Sequence, residues 1–178
     1  DESQPETWFD HPALTVTQQS QRKQYDTYFF FAGDAQGRIR YREDDVLDTD
    51  DEVAPIYNLV YTGPIVEQEY ENSVVLTRSR FASRADRSLR FYREYFSPMA
   101  EHEIIKHRRR YHVRYKGMPF FVNVDQILEP AQEKLFVEIK SRTWSSNDAV
   151  HKAELIGEML DLFGLTAEDI VRQDYADL

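Results

Sequence analysis

Three stretches of this chain put a charge at every second residue, and that alternation constrains the fold more than any other feature. Arg38, Arg40 and Arg42 alternate with Ile39 and Tyr41. Lys106, Arg108 and Arg110 share one parity within a run that continues to Tyr115. In 135–140, Leu135, Val137 and Ile139 alternate with Phe136, Glu138 and Lys140. Successive side chains of an extended strand point to opposite faces, so each stretch has a charged face and, in the first and third, an apolar one. Two arrangements satisfy such strands. An open antiparallel sheet hides its apolar face under helices and wets the charged one. A closed barrel turns the charged faces inward to line a lumen. Parity leaves both open. Stacked cations on one face repel unless an anion offsets them, and the planar fork of Arg donates two hydrogen bonds at once to phosphate.

The cations stand out because the chain as a whole is acidic, with 22 Lys and Arg against 32 Asp and Glu and a net charge of −10. That balance disfavours general affinity for nucleic acid or an anionic membrane. Its 178 residues fit one domain with a real core. The 11 Tyr and 11 Phe favour β-structure. No apolar run reaches the ~20 residues of a membrane span, the first residues lack a signal-peptide pattern, and cysteine is absent. A soluble, cytoplasmic protein is the expectation.

Along the chain, residues 1–23 show no periodicity and read as a polar lead-in, with one domain from 24 to 178. Tyr25–Ala32 and Arg38–Glu43 read as a hairpin across the Gly33–Gly37 turn. Asp44–Glu52 reads as a solvated acidic loop, 57–64 as a strand stopped by Gly63-Pro64, and 73–81 as a further strand. Leu89, Phe91, Tyr92 and Phe96 give helical spacing within 82–96. Glu103–Tyr115, Pro119–Leu128 and Leu135–Thr143 complete the strands. A C-terminal helix capped by Ser146 or Asn147 follows and ends at Gly164, with a shorter one from Thr166.

Several blocks, in order, resemble the CYTH superfamily of triphosphate-tunnel proteins, which includes class IV adenylyl cyclases, thiamine triphosphatases and inorganic triphosphatases. Gln24–Phe29 resembles Q-x-D-T-Y-F, Gly37–Glu43 resembles G-R-L-R-x-R-E, and Leu59–Pro64 is similar to L-x-Y-K-G-P. Lys106–Tyr111 resembles K-x-R-x-x-Y, and Val124-Asp125 with Leu135–Ile139 is similar to an L-D … G-x-F-x-E-I-E pair. Asp174–Leu178 is similar to the ending S-Y-x-D-L. The resemblance implies an α+β fold, a closed antiparallel β-barrel with helices packed outside and at the C-terminus. It implies phosphate binding by Arg40, Arg42, Arg78, Arg80, Lys106 and Arg108, and Mg²⁺ or Mn²⁺ held by Glu138 and Asp125.

The implied partner is a triphosphate-containing small molecule: ATP, thiamine triphosphate or tripolyphosphate. The implied chemistry is metal-dependent hydrolysis of a triphosphate, or cyclisation of ATP with release of pyrophosphate. No residue stands out as catalytic. Three departures point to an alternative, a non-catalytic nucleotide- or polyphosphate-binding module. The family's opening E-x-E-x-K strand has no counterpart here, so the first strand is expected to be missing from this chain, either carried on another piece of the protein or absent. Thr62 replaces a Lys, and Lys140 replaces the second Glu of E-I-E.

Overall fold

The computed structural model describes residues 5–33, 37–48, 53–77 and 80–177. Its frame is one antiparallel sheet of β1 (Leu14–Phe30), β2 (Arg38–Val46), β3 (Ile56–Thr62), β6 (Arg80–Arg84), β7 (Ala100–Tyr115), β8 (Met118–Glu129) and β9 (Leu135–Lys140). The strands lie in the order β6-β3-β2-β1-β7-β8-β9, and a separate small hairpin pairs β4 (Gln68–Glu69) with β5 (Val75–Leu76). Two α-helices, α1 (Leu89–Phe96) and α2 (Ser146–Leu162), complete the α+β architecture. No helix among the described residues is long and apolar enough to cross a membrane.

Alternation sorts the two faces. On the outer face α2 lays Leu155, Ile156 and Met159 against Val113, Phe120 and Val122, with Val137 and Ile139 packed alongside. At the other side α1 brings Tyr92 and Phe96 onto Phe29, Tyr41 and Ile39. Both helices begin on a serine whose hydroxyl accepts a backbone N–H, Ser88 for α1 and Ser145 for α2. The second cap lies one residue before the expected Ser146. Gly37 has a left-handed backbone (φ +66°), and a side chain there would meet the Thr62 carbonyl oxygen at 2.4 Å, so glycine lets β2 and β3 start their pairing in contact.

The sheet is strongly rolled. Seven flat strands would hold their outermost members about 29 Å apart at ~4.8 Å per strand. Instead Arg80 of edge strand β6 lines the same cavity as Glu138 and Lys140 of edge strand β9. Among the described residues no hydrogen-bonded ladder joins β6 to β9, so what the structure shows is a curled sheet around a charged interior.

Several expectations differ from the structure. Residues 14–23, read as lead-in, form the first half of β1. From Leu14 to Gln21 this strand pairs with β7 only, since its ladder to β2 begins at Arg22. As an edge segment flanked by one strand it is mostly exposed, so no apolar alternation marks it. Trp8 and Phe9 precede it in a 3-10 turn and stack on Phe163 and Tyr111, respectively. Asp44, read as loop, is buried on β2. The helix expected from 82 starts at Leu89, because Arg80–Arg84 pairs with β3 as β6.

Candidate functional site

The interior face gathers the even-numbered side chains of β1, β2, β3, β6 and β7 and their partners on β8 and β9. Antiparallel register sets Asp26 opposite Arg42, Tyr28 opposite Arg40, Arg108 opposite Asp125, and Asn123 opposite both Arg110 and Glu138. The result is a cavity of about 250 Å³ whose wall includes Arg38, Arg40, Arg42, Arg80, Lys106, Arg108, Arg110 and Lys140. Five of the six expected phosphate ligands therefore converge: Arg40, Arg42, Arg80, Lys106 and Arg108. The sixth, Arg78, lies outside the described residues.

The floor of the cavity is a buried ion network. Asp26 takes the fork of Arg42 at 2.5 and 2.6 Å. Asp125 takes the fork of Arg108, one arm at 2.6 Å, and accepts the Tyr175 hydroxyl at 2.7 Å. Lys106 sits between the two carboxylates with no exposed surface. Its Nζ lies 3.5 Å from Asp26, 3.6 Å from Asp125 and 3.9 Å from the centre of the Tyr175 ring. Among the described residues no hydrogen-bond acceptor meets that ammonium, nor the Nε of Arg40. A buried donor without an acceptor is costly to maintain. Both residues line the same cavity.

Electrostatics follow the geometry. Burial, reinforced by Arg108, pushes the Lys106 ammonium down to about 7. Burial likewise brings Lys140 down to about 8 against the pull of Glu138, and takes Arg110 to about 10 with help from Arg108 and Arg22. Burial raises Tyr28 to about 12, with Asp26 adding to it. For Asp26 and Glu138 burial acts upward, but the cations outweigh it, Arg42 foremost for Asp26 and Lys140 for Glu138. Both carboxyls lie well below their usual range.

The two expected metal ligands are placed together but are engaged otherwise. Glu138 Oε2 accepts from Asn123 at 2.8 Å, Lys140 at 2.9 Å and Arg108 at 3.3 Å. Arg108 thus lies between Asp125 and Glu138. Among the described residues no group of three or more His, Cys, Asp or Glu is arranged to hold a metal ion. The donor set present does not fit Mg²⁺ or Mn²⁺, which need several hard oxygen ligands clear of competing cations.

Some site residues were not among the sequence candidates. Asp26 is the anionic centre of the floor, and its signal was available: it has the parity of Tyr28 and lies across from Arg42. Asp44 supports the far wall, accepting from Arg22 at 3.1 Å and Gln24 at 3.1 Å. The C-terminal turn at Tyr175–Asp177 caps one end of the cavity. There Ala176 packs with Tyr28, Ile104 and Ile127, and Asp174 pairs with Arg38. Only the resemblance of the chain's ending hinted at that segment.

No family model and no curated protein matches this chain. Solved structures do. A protein from Pyrococcus horikoshii OT3 superposes with a TM-score of 0.67 at 14% identity, covering 98% of this chain and 92% of that one. A protein from Vibrio parahaemolyticus, provisionally described as an adenylate cyclase, gives 0.57 at 11% identity over 97% and 90%. A conserved hypothetical protein from Pyrococcus furiosus gives 0.56 at 17% identity over 93% and 86%. At these identities the likeness is one of fold, and it extends over nearly the whole length of each molecule.

Proposed function

We propose that this chain binds a triphosphate-containing small molecule inside its rolled sheet, which works as a cationic tunnel. The carrying observation is the excess of fixed cations in the cavity, with the donors of Lys106 and Arg40 unmet by the protein. Eight cations on the wall stand against five acids within ion-pair reach: Asp26, Asp125, Glu138, Asp174 and Asp177. A triphosphate carries about four negative charges near neutral pH, because a phosphate's second ionisation falls near 6. Such an anion offsets the excess of cations over acids, and a single phosphate would offset less of it.

Tripolyphosphate is therefore expected to raise the melting temperature steeply with concentration through linkage, and orthophosphate at equal concentration far less. Equal shifts from the two ions would overturn the reading.

A second reading, turnover of the bound triphosphate by hydrolysis or by cyclisation of ATP, is favoured by the likeness to the Vibrio protein and its provisional description. Release of phosphate or pyrophosphate from ATP or tripolyphosphate in the presence of Mg²⁺ or Mn²⁺ decides it. With neither product formed while binding persists, the chain is a binding or sensing module.

A further inference from the structure

Resting on the triphosphate-binding reading above, we infer that the tunnel takes its ligand as the metal-free polyanion, with Lys140 and Arg108 supplying the fixed positive charge that a divalent cation would otherwise bring.

Four contacts carry this. Both oxygens of Asp125 are taken by the Arg108 fork, and its Oδ2 also accepts from Tyr175. Both oxygens of Asp26 are taken by Arg42. On Glu138 one oxygen gathers Arg108, Asn123 and Lys140. Asp174 is held by Arg38 at the capped end. A carboxylate can take a metal only by giving up such a partner, and Arg108 is itself buried, so a metal on Asp125 would leave its guanidinium only the Glu138 oxygen at 3.3 Å. The oxygen of Glu138 outside this cluster offers no escape. A cation bound there would sit a few ångströms from the Lys140 ammonium and the Arg108 guanidinium, in a cavity where water screens poorly.

The position of Lys140 makes the substitution of one charge for another specific. It lies two residues from Glu138 on the same interior face of β9, and the parity that would bring a second carboxylate into the tunnel brings an ammonium instead. A ligand phosphate beside Glu138 thus finds a cation already covalently in place. A metal-complexed triphosphate, with two of its charges neutralised, would offer this wall less than the free anion does. Divalent metal is then a competitor for the ligand rather than a cofactor.

Calorimetric titration of the whole chain with tripolyphosphate in EDTA, and again in excess Mg²⁺, tests the inference. The expected result is binding in EDTA, weakened at least tenfold by Mg²⁺. Equal affinity in both, or affinity that appears only with Mg²⁺, overturns the metal-free inference while leaving triphosphate binding intact. Absence of heat in both conditions overturns both. Two variants, each checked for folding by circular dichroism, sharpen the outcome. Lys140→Met should lose affinity in EDTA and gain nothing from Mg²⁺. Lys140→Glu should lose more in EDTA and recover part of it with Mg²⁺. Either variant binding like the parent protein in EDTA would remove Lys140 from the ligand's counter-charge and overturn the proposal.

Discussion

Strands β7, β8 and β9 carry two environments back to back. Outward, Val113, Phe120, Val122 and Val137 meet α2 in an apolar layer. Inward, at the alternate positions, Lys106, Arg108, Asn123 and Asp125 form a buried polar network, with Glu138 at its more exposed edge. The outer layer stabilises the fold with each ångström squared that it buries. The inner layer removes charges from water and regains that cost only through well-made pairs. One face of the same strands therefore holds the fold together, and the other gathers the charges on which the proposed anion binding rests.

The sharpest way to break this comparison is to leave one inner charge without its partner. Asp125→Ala takes from Arg108 its two-armed partner and leaves it only Glu138 at 3.3 Å, removes one of two acids beside Lys106 and frees the Tyr175 hydroxyl. A loss of about 3–5 kcal/mol in unfolding free energy is expected, measured by urea titration. A loss below ~1 kcal/mol would mean that water reaches Asp125 freely. Tripolyphosphate should restore part of the loss, since it supplies the missing negative charge.

The outer face should respond with similar energy and no ligand dependence. Met159 is fully buried in α2 against the sheet. Met159→Ala is expected to cost about 2–5 kcal/mol, while the affinity for tripolyphosphate of the folded fraction stays unchanged. A large change in affinity would show that the two faces are coupled through the strands.

Between these lies a cation that serves the ligand without holding the fold. Arg80 stands exposed on edge strand β6 and, among the described residues, pairs with no carboxylate. Arg80→Ala should leave the melting temperature of the free protein within a degree or two. It should weaken tripolyphosphate by about 1.5–3 kcal/mol, the worth of a hydrogen bond to a charged group. Retained affinity would place the ligand away from β6 and sever the link between sheet curvature and binding.

The fold was legible where local pattern and final environment coincide. Alternating Arg38–Arg42 and Lys106–Arg110 announced strands with a charged face, and the Lys116-Gly117 turn, with both residues at positive φ, joins β7 to β8 where expected. It was illegible where a segment's environment is made by distant chain. The first half of β1 is polar on both faces because one partner strand flanks it. Strand β6, exposed at every residue, offers no apolar alternation to separate it from the helix that follows. In the site, the cations were found by parity, since cations on strands of an acidic chain are conspicuous. Not all of their acids were. Asp44 is indistinguishable in sequence from the acidic run it begins, and Asp174 reaches Arg38 across 136 positions. Asp125 and Glu138 were found, but residue type alone could not show that Arg108 and Lys140 would occupy them. The parity of Lys140 with Glu138 was the available clue.

The smallest effect concerns protons, and it too separates the two faces. Lys106 has its folded-state pKa lowered from the ordinary lysine value to about 7, with burial as the first cause and Arg108 as the second. A lysine depressed on folding binds its proton less well in the native state than in the unfolded chain. Between about pH 7 and pH 10 the unfolded chain holds more protons at this position, so stability rises with pH across that window. Below pH 7 both states are protonated and the penalty is fully present. Lys140, lowered to about 8, adds in the same direction. The contribution of one such group cannot exceed about 1.4 kcal/mol per pH unit. Replacing Lys106 with methionine, which keeps the length and removes the proton, should flatten the slope of urea-unfolding free energy between pH 7 and pH 9.5 relative to the parent protein. Taking the difference between the two proteins cancels every group they share. Saturating tripolyphosphate should flatten the parent's slope as well, because an anion against Lys106 favours its charged form in the native state. A parent slope that matches the variant's would show that the Lys106 ammonium is already offset by Asp26 and Asp125, and that the cavity floor makes no demand on a ligand.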